Sequence, residues 1–146
     1  MAMGYREILA GKGLKHTKTR ALVLEVLNQA HIPMTADELF LILKRNEPSI
    51  NLSTVYRTLD TLVKKSLIMK TTWMDDSRSC YEYNRMDHRH HLVCVGCNRV
   101  ISVKGCPIDE YASAVCSHEG FEPAGHRLEI YGVCSNCKKR VKRVEE

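Results

Sequence analysis

Residues 87–97 read Asp87-His88-Arg89-His90-His91-Leu92-Val93-Cys94-Val95-Gly96-Cys97, and they place three imidazoles and two thiols within eleven residues. Such a density of nitrogen and sulfur donors points to a metal. Cys94-x-x-Cys97 is a two-thiolate knuckle, and its counterpart lies far downstream in Cys134-Ser135-Asn136-Cys137. Four thiolates in two such pairs match a closed tetrahedral zinc site, which contributes to folding and keeps no open position for chemistry. Four buried, unligated cysteines would leave the doubled spacing unexplained.

Outward from that stretch the donors are unevenly spread. Five of the seven histidines (His88, His90, His91, His118, His126) and six of the seven cysteines lie after residue 84, so a boundary near Asn84 divides a metal-poor part, 1–84, from a metal-rich part, 85–146. Pieces of roughly 60 to 80 residues have only a marginal core, and a zinc staple offsets that deficit in the second part. An odd number of cysteines, arranged as knuckles plus singles, fits metal binding in a reducing compartment better than a secreted disulfide framework. There is no apolar run of roughly 18 residues, and Met1-Ala-Met-Gly-Tyr-Arg-Glu7 lacks a signal peptide's basic and apolar blocks, so the expectation is a cytoplasmic protein with no membrane partner. The formal charge of +5 is compatible with a polyanionic partner without proving one.

In the first part, Tyr5, Ile8 and Leu9 have helical spacing that ends at Gly11-Lys-Gly13. Thr17 reads as the cap of a helix over 18–30, with Leu22, Val23, Val26 and Leu27 as its apolar stripe. His31-Ile-Pro33 breaks it. Thr35 caps the next helix, whose core face is Ala36, Leu39, Phe40, Ile42 and Leu43, and Ser53 is expected to cap a further one. In that last helix Val55, Leu59, Leu62 and Val63 point one way while Tyr56, Arg57 and Asp60 point another. This is the order of a helix-turn-helix with an aromatic and an arginine in the recognition position. Residues 67–73 and 79–83, joined by Asp75-Asp-Ser-Arg78, carry a hairpin signal, and three helices with a hairpin make a winged helix. The plainer alternative is a small packed helical domain with Tyr56 and Arg57 solvated.

In the second part, residues 91–95 and 99–103 read as strands flanking the first knuckle, 108–116 as a helix opened by Pro107, and 122–131 as a long strand running into the second knuckle. The tail Lys138-Lys-Arg-Val-Lys-Arg143 is expected to be a solvated, mobile end. Cys106 and Cys116 read as ordinary small apolar residues.

Three motifs in this order carry a family resemblance: Thr54-Val-Tyr-Arg-Thr-Leu59, the segment 87–97, and Gly125-His-Arg-Leu-Glu-Ile-Tyr-Gly-Val-Cys134. Together they resemble the ferric uptake regulator family of bacterial metal-sensing repressors, over nearly the whole chain from Gly13-Leu-Lys15 to Cys137. The resemblance implies an α+β fold, an N-terminal winged helix-turn-helix domain followed by a small α/β dimerisation domain with a structural four-cysteine zinc site. It implies a homodimer that binds a palindromic operator in double-stranded DNA. Cys94, Cys97, Cys134 and Cys137 match the structural zinc ligands. Ser53, Thr54, Tyr56 and Arg57 fall in the recognition helix, with Tyr56 and Arg57 meeting bases, while Lys15 and Arg20 match positions that approach the minor groove or phosphates.

A regulatory metal site in the dimerisation domain is implied at His88, His90, Asp109 and His126. His88 and His90, two apart on an extended segment, face the same side, and Glu110 is the alternative to Asp109. A hinge site between the domains matches the family at Glu82 and His91 and departs from it at Pro33, Arg89 and Ser102. His31 and Cys80 are candidate substitutes, so the set His31, Cys80, Glu82 and His91 stands beside the reading of no hinge site at all. Cys80 and the step Gly105-Cys-Pro107 look more like the zinc uptake regulator branch. Zn2+ is therefore favoured over Fe2+ or Mn2+ as the sensed metal, with an iron-sensing repressor as the alternative and a peroxide sensor behind it. The implied mechanism is a population shift, in which metal joining Glu82 or Cys80 to His91 fixes the spacing of two recognition helices.

Other classes fit less well. A zinc hydrolase or deaminase needs an open coordination position and an adjacent base, and the deaminase signature is absent. A thiol redox protein would set one Cys-x-x-Cys at a helix start, whereas both knuckles are expected on strands or turns.

Overall fold

The computed structural model describes residues 4–72, 78–85 and 89–144, with side chains only to residue 140 in the last stretch. The chain divides into two compact units, Met1–Arg85 and Met86–Glu146.

The first unit is a winged helix built from α1 (Tyr5–Gly11), α2 (Lys18–Gln29), β1 (Met34–Thr35), α3 (Ala36–Asn46), α4 (Leu52–Lys64), β2 (Ile68–Thr72) and β3 (Ser79–Tyr83). Local chemistry starts each long helix. The Thr17 hydroxyl accepts the Arg20 N–H at 3.2 Å. At α3 a full capping box forms: Thr35 Oγ1 accepts the Glu38 N–H at 3.2 Å while the Thr35 N–H donates to Glu38 Oε2 at 2.8 Å. Asp37 and Glu38 in its first turn, with Lys44 and Arg45 in its last, complement the helix dipole. The expectation that Ser53 caps α4 is corrected. Asn51 does so, its Oδ1 accepting the Thr54 N–H at 2.9 Å and the Thr54 hydroxyl at 3.0 Å, which places Ser53 inside the first turn.

Leu9, Val23, Leu24, Leu27, Leu39, Leu43, Leu59 and Leu62 interlock as the core between α1, α2, α3 and α4, closed from the sheet side by Ile68 and Tyr81. The sheet is antiparallel in the order β1-β3-β2, with Met34 opposite Tyr81 and Lys70 opposite Tyr81 on the other side. The two-residue β1 was not read from the sequence, and residues 73–77, where most of the expected hairpin turn falls, lie outside the described residues. Arg85 ties the end of the hairpin to α2: its guanidinium donates to the Asn28 carbonyl and, at 3.2 Å, to that of Ala30, and it stands 5.6 Å over the Tyr83 ring. These carbonyls belong to the end of α2, where the helix itself supplies no partners.

The second unit contains β4 (Arg89–Cys94), β5 (Val100–Lys104), α5 (Asp109–His118), β6 (Glu129–Gly132) and α6 (Ser135–Val144). Its sheet has the order β5-β4-β6, antiparallel between β4 and β5 and parallel between β4 and β6. A parallel pair needs a crossover, and α5 lies in that connection. Two sequence expectations are corrected here. Of the strand expected over 122–131 only residues 129–131 are paired, within β6; upstream, Pro123 lacks an N–H for a ladder and Gly125 takes φ 152. The basic tail is not a loose end: residues 135–144 form α6, and the Lys138 N–H donates to the Cys134 carbonyl at 3.0 Å. Cys137 therefore lies in the first turn of a helix rather than on a strand or turn.

Candidate metal centres

The four knuckle cysteines converge. Cys94 ends β4, Cys97 follows it in the turn, Cys134 precedes α6 and Cys137 lies in its first turn. Their sulfurs all lie within 4.8 Å of one another, with Cys94 to Cys137 and Cys97 to Cys134 each at 3.8 Å. A tetrahedron of zinc–sulfur bonds of about 2.3 Å has an edge of about 3.8 Å, so the donors fit zinc. A disulfide, with sulfurs about 2.05 Å apart, does not fit these separations.

The backbone builds this geometry. The Cys94 N–H donates to the Arg99 carbonyl at 2.9 Å and the Asn98 N–H to the Cys94 carbonyl at 2.8 Å, closing the knuckle around Asn98 at φ 59. The Cys134 N–H points at Cys94 Sγ, 3.2 Å away. That N–H, helped by those of Cys97 and Gly96, brings the Cys94 thiol down to about 6, so it is readily a thiolate. Cys137 moves the other way, to about 12, first because its S–H is held in a hydrogen bond with the Cys134 sulfur, then because burial disfavours its thiolate and the other sulfurs crowd it. A dication among the four removes that conflict. Gly96 was not singled out in the sequence, yet a Cβ there would sit 3.0 Å from Cys137 Sγ and 3.7 Å from Cys94 Sγ. A side chain at residue 96 would press on the Cys137 knuckle, and glycine leaves that space clear.

A second group forms from His90, Cys106 and His126, whose donor atoms also lie within 4.8 Å of one another. His90 is buried on β4, and its ring stacks on that of His126 with centroids 5.5 Å apart and planes at 22°. Cys106 Sγ is 2.8 Å from His126 Nε2, and Asp109 Oδ1 is 3.9 Å from Nδ1 of the same ring. Of the expected regulatory set, His90 and His126 are thus together and Asp109 is adjacent, while His88 lies outside the described residues. Glu110 joins no such group among the described residues. Cys106, expected to be a small apolar residue, stands against an imidazole instead. The signal in the sequence was its position three residues before Asp109, between Gly105 and Pro107.

Of the expected hinge residues, His31 is exposed in the connection after α2, Cys80 and Glu82 lie two apart on β3, and His91 is buried on β4 of the second unit. On α4, Val55, Thr58, Leu59 and Leu62 are buried, which leaves Ser53, Tyr56, Arg57 and Asp60 exposed on the opposite face. Thr54 is half-buried and engaged with Asn51. Lys15 is exposed, and the Arg20 guanidinium donates to its carbonyl at 2.8 Å.

A winged helix followed by a small α/β module carrying a four-cysteine cluster defines a class of metal-responsive DNA-binding transcription regulators, not enzymes. The chain belongs to the ferric uptake regulator family, whose family model matches residues 11–131. It is 30% identical over 140 residues to the ferric uptake regulation protein of Campylobacter upsaliensis, spanning 94% of this chain and 89% of that one. It is 33% identical over 130 residues to the zinc uptake regulation protein of Mycobacterium tuberculosis, spanning 89% and 99%. It is 31% identical over 134 residues to the peroxide operon regulator of Bacillus subtilis, spanning 92% and 91%. Among solved structures it resembles the Vibrio cholerae ferric uptake regulator with a TM-score of 0.78 at 29% identity, covering 89% of this chain and 99% of that one. Relatives of three different names match at similar identity, so the sensed metal has to be argued from this chain's own residues.

Proposed function

We propose that the chain is a zinc-responsive repressor that binds a palindromic operator as a homodimer, with Cys94, Cys97, Cys134 and Cys137 holding a structural zinc and a regulatory zinc bound in the second unit around His90 and His126, with Asp109 beside His126 and His88 a further ligand expected from the sequence alone. The observation that carries it is the pairing, in one small unit, of a closed four-thiol cluster with a separate imidazole-bearing cluster. The first is saturated by protein donors, so a response to metal belongs to the second. The thiols at Cys80 and in the Gly105-Cys-Pro107 step support zinc, since soft sulfur donors favour it over iron(II) or manganese.

Bound zinc supplies the positive charge and the tetrahedral preference that hold such donors together. The chain's own residues do the rest. Ser53, Tyr56 and Arg57 offer α4 to the major groove, where an arginine reads guanine by a bidentate pair, and Lys15 and Arg20 supply affinity for phosphates. The dimer is supported by apolar groups that one chain leaves uncovered. Leu92 lies opposite both Ile101 and Ile130, and all three are exposed, forming a stripe across the sheet. On α5 no residue is buried, and Tyr111 leaves 71% of its surface exposed. Burial of each such large side chain contributes about 1.5–3 kcal/mol.

The test is operator binding by fluorescence anisotropy, on protein that retains one zinc per chain, with zinc, iron(II) or manganese restored at buffered free concentrations. Zinc is expected to tighten binding at least tenfold, within the coupling of about 1–3 kcal/mol that allosteric ligands supply. A response to iron(II) alone would move the chain to the iron-sensing reading, and no response to any metal would refute the switch.

A further inference from the structure

We propose that Cys106 is a metal ligand, completing a two-imidazole, one-thiolate set with His90 and His126, and that Asp109 positions His126 rather than binding the metal. The inference rests on the regulatory site proposed above and replaces its oxygen donor with sulfur.

Three stretches distant in sequence bring the donors together: β4, the turn before α5, and the segment before β6. The turn holding Cys106 is set by its neighbours. Gly105 takes φ 90, which disfavours any side chain, and Pro107 fixes its own φ. The thiol is thus delivered to His126 Nε2 by the backbone, at 2.8 Å. Cys116 on α5 is the internal comparison. It is also half-buried, and among the described residues it joins no cluster of metal donors.

The two nitrogens of His126 face different partners. Nε2 is beside Cys106, and Nδ1 is 3.9 Å from Asp109 Oδ1. A carboxylate beside the far nitrogen, closing from 3.9 Å to hydrogen-bond distance as the metal binds, would keep the proton there, orient the ring and leave the Nε2 lone pair for a metal. Asp109 is not among the donors that lie within 4.8 Å of one another. When a dication binds, the Cys106 thiol gives its proton to solvent, no electron moves, and the donors become two neutral imidazoles and one thiolate. Such a set favours zinc over iron(II) or manganese, because soft sulfur discriminates against cations that prefer oxygen. The sulfur and nitrogen must part by somewhat less than about 1 Å to accept zinc between them at bonds of about 2.3 and 2.0 Å.

Cobalt(II) is the probe, added as a second equivalent to full-length protein whose first zinc is retained and monitored. A thiolate-to-cobalt charge-transfer band is expected in the parent and its loss in Cys106→Ser, with zinc affinity at that site lowered at least tenfold. Asp109→Asn is expected to keep the band and weaken zinc about 10- to 100-fold, the range found for residues that orient a ligand. Alkylation mapping of the unmutated protein needs no variant: Cys106 is expected to be protected only when the second equivalent is present. An unchanged band in Cys106→Ser, or Cys106 alkylated equally with and without the second metal, would overturn the assignment. Operator binding on the same samples separates the two readings. If Cys106 is protected yet operator affinity ignores zinc, the ligand assignment stands and the regulatory reading falls. If zinc tightens operator binding while Cys106 stays reactive, the reverse holds.

Discussion

Replacing Gly96 with alanine adds one methyl group at the tightest point of the four-cysteine cluster. The new Cβ would lie 3.0 Å from Cys137 Sγ and 3.3 Å from Cys137 Cβ. Non-bonded heavy atoms settle at roughly 3.5–4.0 Å, so one knuckle must give by a few tenths of an ångström. Metal–ligand distances tolerate only about 0.2 Å, and the second knuckle is fixed through the Cys134 N–H to Cys94 Sγ bond at 3.2 Å. Overpacking of this kind costs about 1–3 kcal/mol, which corresponds to roughly 5- to 150-fold in zinc affinity. The backbone at Gly96 is not left-handed, so alanine adds no dihedral cost and the effect is purely steric. Gly132, where an added methyl group would meet nothing within 4 Å, is the matched control. Zinc release to a chromogenic chelator, timed in both variants, is the assay. Gly96→Ala is expected to release zinc faster and to a weaker competitor, with Gly132→Ala behaving like the parent. Equal retention by all three proteins would refute the packing argument.

Three further outcomes are expected. Tyr56→Ala and Arg57→Ala should each cost about 1–3 kcal/mol on the true operator and relax sequence preference, whereas Lys15→Ala should weaken binding to all sequences alike and reduce the salt slope by about one, as read by anisotropy across a salt series. Leu92→Arg and Ile130→Arg place charge in the exposed apolar stripe and should shift the protein to monomers in sedimentation velocity, while Leu41→Arg, on an exposed residue of the first unit, should leave the dimer intact. Thr35→Ala removes the acceptor of the capping box and should cost about 1 kcal/mol, lowering the first unit's melting temperature by roughly 4–8 °C in calorimetry.

What could be read from the sequence follows how local each determinant is. Thr17 and Thr35 were legible as caps because each acts within three residues of itself. The start of α4 was not, because Asn51-Leu-Ser53 offers two capping oxygens two residues apart, and only the path of the chain after Pro48 selects the first. The paired cysteines were legible because their spacing is itself the chemistry. Their surroundings were not: Gly96 matters through contact with Cys137, and α6 forms on a run of lysines and arginines that by composition alone reads as solvated. The strand expected over 122–131 failed at Pro123 and Gly125, where two residues outweighed a favourable pattern downstream. The place of Cys106 beside His126 is hidden in the sequence for the same reason as the contact of Gly96 with Cys137. Cys106 and His126 are twenty residues apart, and only the crossover through α5 brings the two together.

The most direct test of the account is a count of zinc on the DNA-bound protein. Native mass spectrometry of the complex with a palindromic operator duplex, at a free zinc concentration that just supports binding, distinguishes the closed cluster from the switch. Two chains and two zinc ions per chain are expected in the complex, with one zinc per chain in the unbound protein at lower zinc. A DNA complex carrying a single zinc per chain, with the same affinity as at higher zinc, would contradict it.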